Sequence, residues 1–152
     1  IYTYGYGVCL PLIALLPAVC EELLFRGFFL SSLEHTMKKR AAILTAAIVF
    51  GLYHMNLVQT PTTALIGVAL CYVAVQSGSL LPGMLMHFFN NALSVTAAFY
   101  PKQVARVLPF FSEKGVPALV VIVMGVGLCV LGGYIINRSK NKAFPVESDV
   151  RL

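Results

Sequence analysis

Residues 8–33 read VCLPLIALLPAVCEELLFRGFFLSSL, an apolar stretch long enough to cross a membrane. Three charged side chains, Glu21, Glu22 and Arg26, interrupt it. An ionised side chain near the centre of a bilayer costs about 3 kcal/mol on insertion scales, so such residues usually face a bundle interior or a wet cavity. The default interpretation of these three residues is therefore functional.

The whole chain of 152 residues has the composition of a membrane protein. Hydrophobic residues make up 59% and charged residues 11%, whereas a soluble domain carries about a quarter charged residues. Apolar segments can be drawn at 4–33, 41–58, 62–76, 80–100 and 116–136. We therefore predict an all-α, polytopic transmembrane helical bundle of about five spans. Residues 1–137 would form the membrane-embedded domain and residues 138–152 a polar C-terminal tail.

Several boundaries carry local signals. Pro11 and Pro17 interrupt the first segment, which is either one long tilted helix or a broken pair. The segment 62–76 is short for a span. The sequence Ser-Gly-Ser at 77–79 predicts a tight turn, and residues 101–115 are expected to form a loop.

The charge pattern suits membrane topology better than nucleic-acid binding. Net charge is +5, and the basic residues cluster at segment ends, at 38–40 and 138–142, rather than along a groove with interleaved aromatic residues. The positive-inside rule makes these two clusters cytoplasmic. The four cysteines lie far apart within apolar runs and are expected to act as small hydrophobic residues.

Polar groups on three predicted helices converge on one layer. Their depths can be compared by counting about 1.5 Å per residue from the predicted cytoplasmic end of each segment. By this count Glu21, His54 and Asn91 lie at similar depths, and His87 lies somewhat closer to the cytoplasmic end. A site between the helices of a bundle requires such convergence.

Helical spacing assigns roles on the first segment. Glu22 and Arg26 are four residues apart, in the order that favours an ion pair. Neighbouring helical residues point about 100° apart, so we expect that Glu21 and Glu22 do not address the same point. Glu21 would then face the cavity as a general base.

The other two segments supply imidazole and amide groups. Phe50 and His54 share one helix face, as do His87 and Asn91. An imidazole opposite Glu21 would help to deprotonate a water, and an imidazole with an amide would donate to an oxyanion. Hydrolysis of a peptide bond by an activated water is the natural reaction. Phe50 and the neighbouring aromatic residues are expected to serve packing.

Three motifs carry a family resemblance: EELLFRG at 21–27, FGLYH at 50–54 and HFFNN at 87–91. Their order and spacing resemble the EExxxR, FxxxH and HxxxN motifs of the CPBP (CAAX protease and bacteriocin-processing) intramembrane proteases, which include the type II CAAX prenyl endopeptidases. The resemblance implies a helical bundle with a cavity opening toward the cytoplasm and a hydrophobic or lipidated peptide as substrate. It also implies roles for six residues: Glu21 as the water-activating glutamate, His54 as its partner, His87 and Asn91 as the oxyanion site, and Glu22 and Arg26 as supporting residues.

Three alternatives stay open at this point. Glu21, His54 and His87 could ligate zinc with an open position for water, although no His-Glu-x-x-His sequence is present and the expectation is no metal. A membrane immunity or binding module of the same fold would keep the bundle without hydrolysis. A proton-coupled transporter fragment would also use glutamate and histidine, but the sequence shows no duplication. Family members commonly have more spans before the first motif, so N-terminal helices are either dispensable here or left out.

Overall fold

The computed structural model describes residues 4–107, in which the regular structure is helical and contains no strand. The helices, in chain order, are α1 Tyr6–Glu34, α2 Lys39–Tyr53, α3 Thr60–Ser77, α4 Leu81–Phe99 and α5 Pro101–Val107. The all-α prediction is confirmed for this part of the chain. The predicted fifth span at 116–136 and the tail at 138–152 lie outside the described residues.

α1 is one continuous helix rather than a broken pair. Two stretches within it, Leu10–Leu15 and Leu23–Leu30, have the wider π-helical turn. Pro11 and Pro17 both fall in the first turn of a segment where the winding changes, and a change of winding relieves the clash and the missing hydrogen bond that proline brings to a helix interior. The second π-helical stretch begins directly after Glu22.

α2 is shorter than predicted, and the segment 41–58 extends too far. The helix ends at Tyr53, His54 is its C-cap, and Met55 has a positive φ of 48°. The Asn56 side chain accepts hydrogen bonds from the backbone N–H groups of residues 58 and 59. Asparagine side chains that bond local backbone in this way compete with a helix, which explains the early end.

α3 is longer than the predicted 62–76, and α4 matches the prediction of 80–100 closely. The turn expected at 77–79 is present, with Gly78 in the left-handed conformation at φ 65°. The prediction of a loop at 101–115 is wrong for residues 101–107, which are helical. Pro101 opens α5 at a first helical position, where its fixed φ suits a helix and its missing N–H does no harm.

Small residues bring the helices together. Ala42 and Ala46 of α2 are fully buried and form a core cluster with Leu30 of α1 and Cys71 of α3. Small side chains allow the close backbone approach typical of membrane helices. Large apolar side chains are instead exposed on the outside, among them Leu12, Leu16, Phe28, Leu44, Ile48 and Phe89.

By length and composition, α1 and α3 are apolar enough to cross a membrane. The N-terminal part of α1 packs on α4, and its second π-helical stretch packs on α2 and α3. The charged residues in the middle of α1 therefore lie between the three other long helices.

Candidate active site

The most deeply buried charges belong to one ion pair on α1. Arg26 Nη1 donates to Glu22 Oε1 at 2.8 Å, and both side chains are fully buried. The ion pair predicted from the four-residue spacing is confirmed. Removing two charges from water is costly unless further hydrogen bonds and charges compensate, so the surroundings of the pair are decisive.

Arg26 has partners on two other helices. Its Nη2 donates to the backbone carbonyl of Gly67 on α3 at 3.3 Å. Its guanidinium also lies over the Phe50 ring of α2, 4.3 Å from the centroid, at a distance where a cation is attracted to the ring face. Arg26 thus ties α1 to α2 and α3 at the level of the glutamates.

His87 of α4 lies between the two glutamates. Its Nδ1 is 2.9 Å from Glu22 Oε1, and its Nε2 is 3.7 Å from Glu21 Oε2. Glu21 and Glu22 therefore face different atoms, as expected, but those atoms belong to the same imidazole ring. The 100° rule separates the directions in which the side chains leave the helix, but an imidazole between those directions presents one nitrogen to each carboxylate.

The direction of the hydrogen bond between His87 and Glu22 follows from the chemistry of the Glu22 carboxylate. Glu22 Oε1 accepts from Arg26, so it acts as an acceptor here, and His87 Nδ1 donates to the same oxygen. The Nε2 of His87 is left facing Glu21 at 3.7 Å, which is too long for a direct hydrogen bond. Within residues 4–107, Glu21 Oε2 is buried and has no hydrogen-bond partner.

Gly83 has no side chain, which leaves space for the Glu22 carboxylate. It lies one turn before His87 on α4, and a Cβ at this position would be 3.0 Å from Glu22 Oε2. The sequence-based prediction missed Gly83. The available signal was a glycine inside a helical pattern, which often marks a close approach, at the position four residues before a candidate histidine.

His54 is held by the backbone of its own helix. Its Nδ1 donates to the Phe50 carbonyl at 3.0 Å, so in the neutral ring Nε2 is the acceptor. The Phe50 ring meets the rings of His54 and His87 edge to face, with centroids 5.1 and 5.8 Å away. Phe50, which was expected to serve packing, is buried and contacts both imidazoles. No hydrogen bond joins His54 to Glu21 directly within residues 4–107.

Asn91 follows His87 by one turn on α4 and is half-buried. Its side-chain oxygen accepts from the amide of Asn90 at 3.3 Å. No hydrogen bond connects Asn91 with His87 in the part of the chain that the structure describes. The bond from Asn90 orients the Asn91 amide and leaves its NH₂ group as the donor end.

Zinc binding by Glu21, His54 and His87 requires that the three side chains converge on one point. Among residues 4–107, no three histidine, cysteine, aspartate or glutamate side chains are arranged to hold a metal ion. His87 directs both ring nitrogens toward carboxylates, and His54 uses Nδ1 on a backbone carbonyl.

An apolar exterior with a buried acid–imidazole cluster is typical of membrane-embedded proteins that have a functional site inside the bundle. Comparison with protein families is more specific. Residues 5–93 match the type II CAAX prenyl endopeptidase Rce1-like family, and the match includes all three motifs. The chain belongs to this family of membrane-integral proteases, which confirms the resemblance seen in the sequence. No curated protein and no solved structure matches the chain.

Proposed function

We propose that the chain is an intramembrane endopeptidase that hydrolyses a peptide bond near the C-terminus of a prenylated, CAAX-type protein or peptide. Family membership supports the reaction and substrate class. The observation that carries the proposal is the Glu21 carboxylate, whose buried Oε2 lacks a partner within residues 4–107 and lies 3.7 Å from His87 Nε2. A carboxylate and an imidazole directed at one point form a site for activating water.

In the proposed reaction, Glu21 is the general base. It accepts a proton from a water molecule whose oxygen attacks the scissile carbonyl carbon. The proton then passes to the leaving amine as the carbon–nitrogen bond breaks. His54 acts as the partner of Glu21, because its Nε2 is the acceptor nitrogen of the neutral ring and can relay a proton.

The oxyanion that forms on the substrate is assigned to His87 and Asn91. For Nε2 of His87 to donate, the ring must carry both of its protons. Glu22 Oε1 accepts from Nδ1 at 2.9 Å and fixes the orientation of the ring. Arg26 holds Glu22 in place and offsets its charge. The supporting pair therefore acts through His87 rather than on the substrate.

The proposed setting is a multi-pass protein of about five spans over residues 1–137, with a site that opens toward the cytoplasm and without an obligatory metal. The basic residues 38–40 mark the cytoplasmic end under the positive-inside rule. His54 lies 15 residues further on, about 22 Å along α2 at 1.5 Å per residue, so the site would be deep in the bilayer. Labelling a cysteine introduced at position 38 with an impermeant maleimide tests the orientation. Labelling only from the periplasmic or luminal side would contradict it.

Cleavage of a farnesylated reporter peptide tests the function. Full-length protein in nanodiscs should release the C-terminal tripeptide, identified by mass, and Glu21→Gln should abolish release because an amide cannot accept the proton. The matched control is Cys20→Ala. It changes the exposed neighbour of Glu21, and it should remain active.

The other outcomes exclude specific alternatives. A fully active Glu21→Gln protein would remove Glu21 from the mechanism. Loss of activity in Cys20→Ala alone would indicate a thiol nucleophile. A folded wild-type protein that is as inactive as Glu21→Gln on every prenylated reporter would refute the protease proposal in favour of a binding module.

A further inference from the structure

His54 lies in the connection between α2 and α3, and a hydroxyl group from α3 spans that connection. The hydroxyl belongs to Thr60, the first residue of α3. Its oxygen is 3.2 Å from the Gly51 carbonyl oxygen and 2.9 Å from the Asn56 carbonyl oxygen, and it donates to both. One of these carbonyls precedes His54 in the chain and the other follows it. Thr60 therefore joins the two ends of the segment that carries the His54 ring.

The Gly51 carbonyl depends on this bond because α2 ends shortly after it. Carbonyl groups in the last turn of a helix lack the N–H partners that a further turn would supply. The N–H of Met55 donates to the Leu52 carbonyl, and the N–H of His54 lies 3.4 Å from the Gly51 oxygen, which is longer than a typical hydrogen bond. Of these two donors to the Gly51 carbonyl, the Thr60 hydroxyl is therefore the closer one.

The backbones of α2 and α3 also meet at this point. A Cβ on Gly51 would be 2.8 Å from the Thr60 carbonyl oxygen and 2.9 Å from the Ala64 Cβ, so a side chain does not fit there. Met55, directly after His54, has a φ of 48° although its side chain is 93% exposed. Such a conformation is uncommon for a residue with a side chain and persists where the surroundings determine it. Since packing of the exposed side chain does not hold it, the backbone contacts of the connection do.

We propose that Thr60 is a positioning residue for His54, an inference that rests on the role of His54 as the partner of Glu21 in the proposed function. The hydroxyl keeps the last turn of α2 closed. That turn contains the bond of 3.0 Å from His54 Nδ1 to the Phe50 carbonyl, which leaves Nε2 as the acceptor of the neutral ring. When the turn opens, the bond to Phe50 weakens, and the proton of the neutral ring is shared between Nδ1 and Nε2. Thr60 acts through His54 and not on the substrate.

Removal of the hydroxyl tests the proposal. Thr60→Val keeps the shape of the side chain but deletes one hydrogen bond, so we expect kcat on the farnesylated reporter to fall about three- to ten-fold. KM should stay near the wild-type value. Thr60→Ser restores the hydroxyl and should restore kcat. Thr63→Val is the matched control, because the Thr63 hydroxyl donates to the Gln59 carbonyl at the start of its own helix, and its kcat should equal that of the wild type.

Histidine NMR gives a second readout that does not require turnover. The chain contains three histidines, so the ring nitrogen signals of histidine-labelled protein can be assigned by replacing each histidine in turn. The nitrogen chemical shifts distinguish the two tautomers of a neutral imidazole. We expect the Nδ1-protonated form of His54 in the wild type, in Thr60→Ser and in Thr63→Val. Thr60→Val should show a mixture of both tautomers.

The two readouts together separate this proposal from the proposed function. Unchanged kcat and an unchanged His54 signal in folded Thr60→Val would overturn the proposal, as would a loss of kcat without a change in that signal. Equal losses in Thr60→Val and Thr60→Ser would assign the effect to side-chain shape instead of the hydroxyl. If the wild type cleaves no reporter but the His54 tautomer changes in Thr60→Val alone, the proposed function fails and the positioning of His54 is supported. If Thr60→Val does not fold, Thr60→Ala compared with Thr63→Ala decides by the same two readouts.

Discussion

Gly83→Ala is the sharpest test of how the supporting glutamate acts. The added Cβ would be 3.0 Å from Glu22 Oε2, so the carboxylate must move by a few tenths of an ångström. Glu22 is fully buried and held by Arg26 and His87 at 2.8 and 2.9 Å, so its movement disturbs those two hydrogen bonds. Losing one hydrogen bond to a charged group costs about 1.5–3 kcal/mol.

That cost should appear mainly in catalysis. If the lost interaction orients His87 toward the oxyanion in the transition state, kcat falls by about ten- to a hundred-fold. KM should stay near the wild-type value, because His87 contacts the substrate oxygen only as the oxyanion forms. The free energy of unfolding should fall by only about 0.5–2 kcal/mol, since alanine in a helix interior recovers about 1 kcal/mol relative to glycine.

The assay measures kcat and KM on the farnesylated reporter and the melting temperature of the same preparations. Gly7→Ala is the matched control, because a Cβ on that helical glycine meets nothing within 4 Å. It should leave kcat unchanged. Wild-type kcat in a folded Gly83→Ala protein would refute the role given to the contact between Glu22 and His87.

Three further variants or treatments probe the same site. Arg26→Met leaves Glu22 buried without its partner and should destabilise the protein by about 3–5 kcal/mol, which thermal unfolding in detergent will measure; an unchanged melting temperature would show that the pair is solvated. Phe50→Leu keeps the site apolar but removes the ring that contacts both imidazoles. A hydrophobic swap costs roughly 1 kcal/mol in the free energy of unfolding, and we expect the loss of reporter cleavage, converted to an activation free energy, to be larger than this. Equal losses in the two quantities would show that Phe50 serves packing alone. Treatment with a chelator should leave cleavage intact, because residues 4–107 contain no assembled ligand set; activity lost to the chelator and restored by zinc would contradict this.

Sequence periodicity predicts features that lie within one helix. The pairing of Glu22 with Arg26 depends only on a spacing of four residues, and the predicted bounds of α4 agree with the structure to within a residue at each end. The all-helical class follows from long apolar segments, because a backbone in lipid must satisfy its hydrogen bonds internally. The three motifs place the candidate chemistry on α1, α2 and α4 from the sequence alone.

Contacts between helices need the tertiary structure. The angle between Glu21 and Glu22 along the helix follows from the sequence, but only the structure shows that His87 lies between them and presents one nitrogen to each. The role of Gly83 depends on the distance between α1 and α4, and that of Phe50 on three helices meeting around one ring. The early end of α2 depends on a hydrogen bond that the Asn56 side chain accepts from the backbone N–H of residue 58. Spacing along a chain determines direction on one helix, whereas the partner that a side chain meets depends on how separate helices pack.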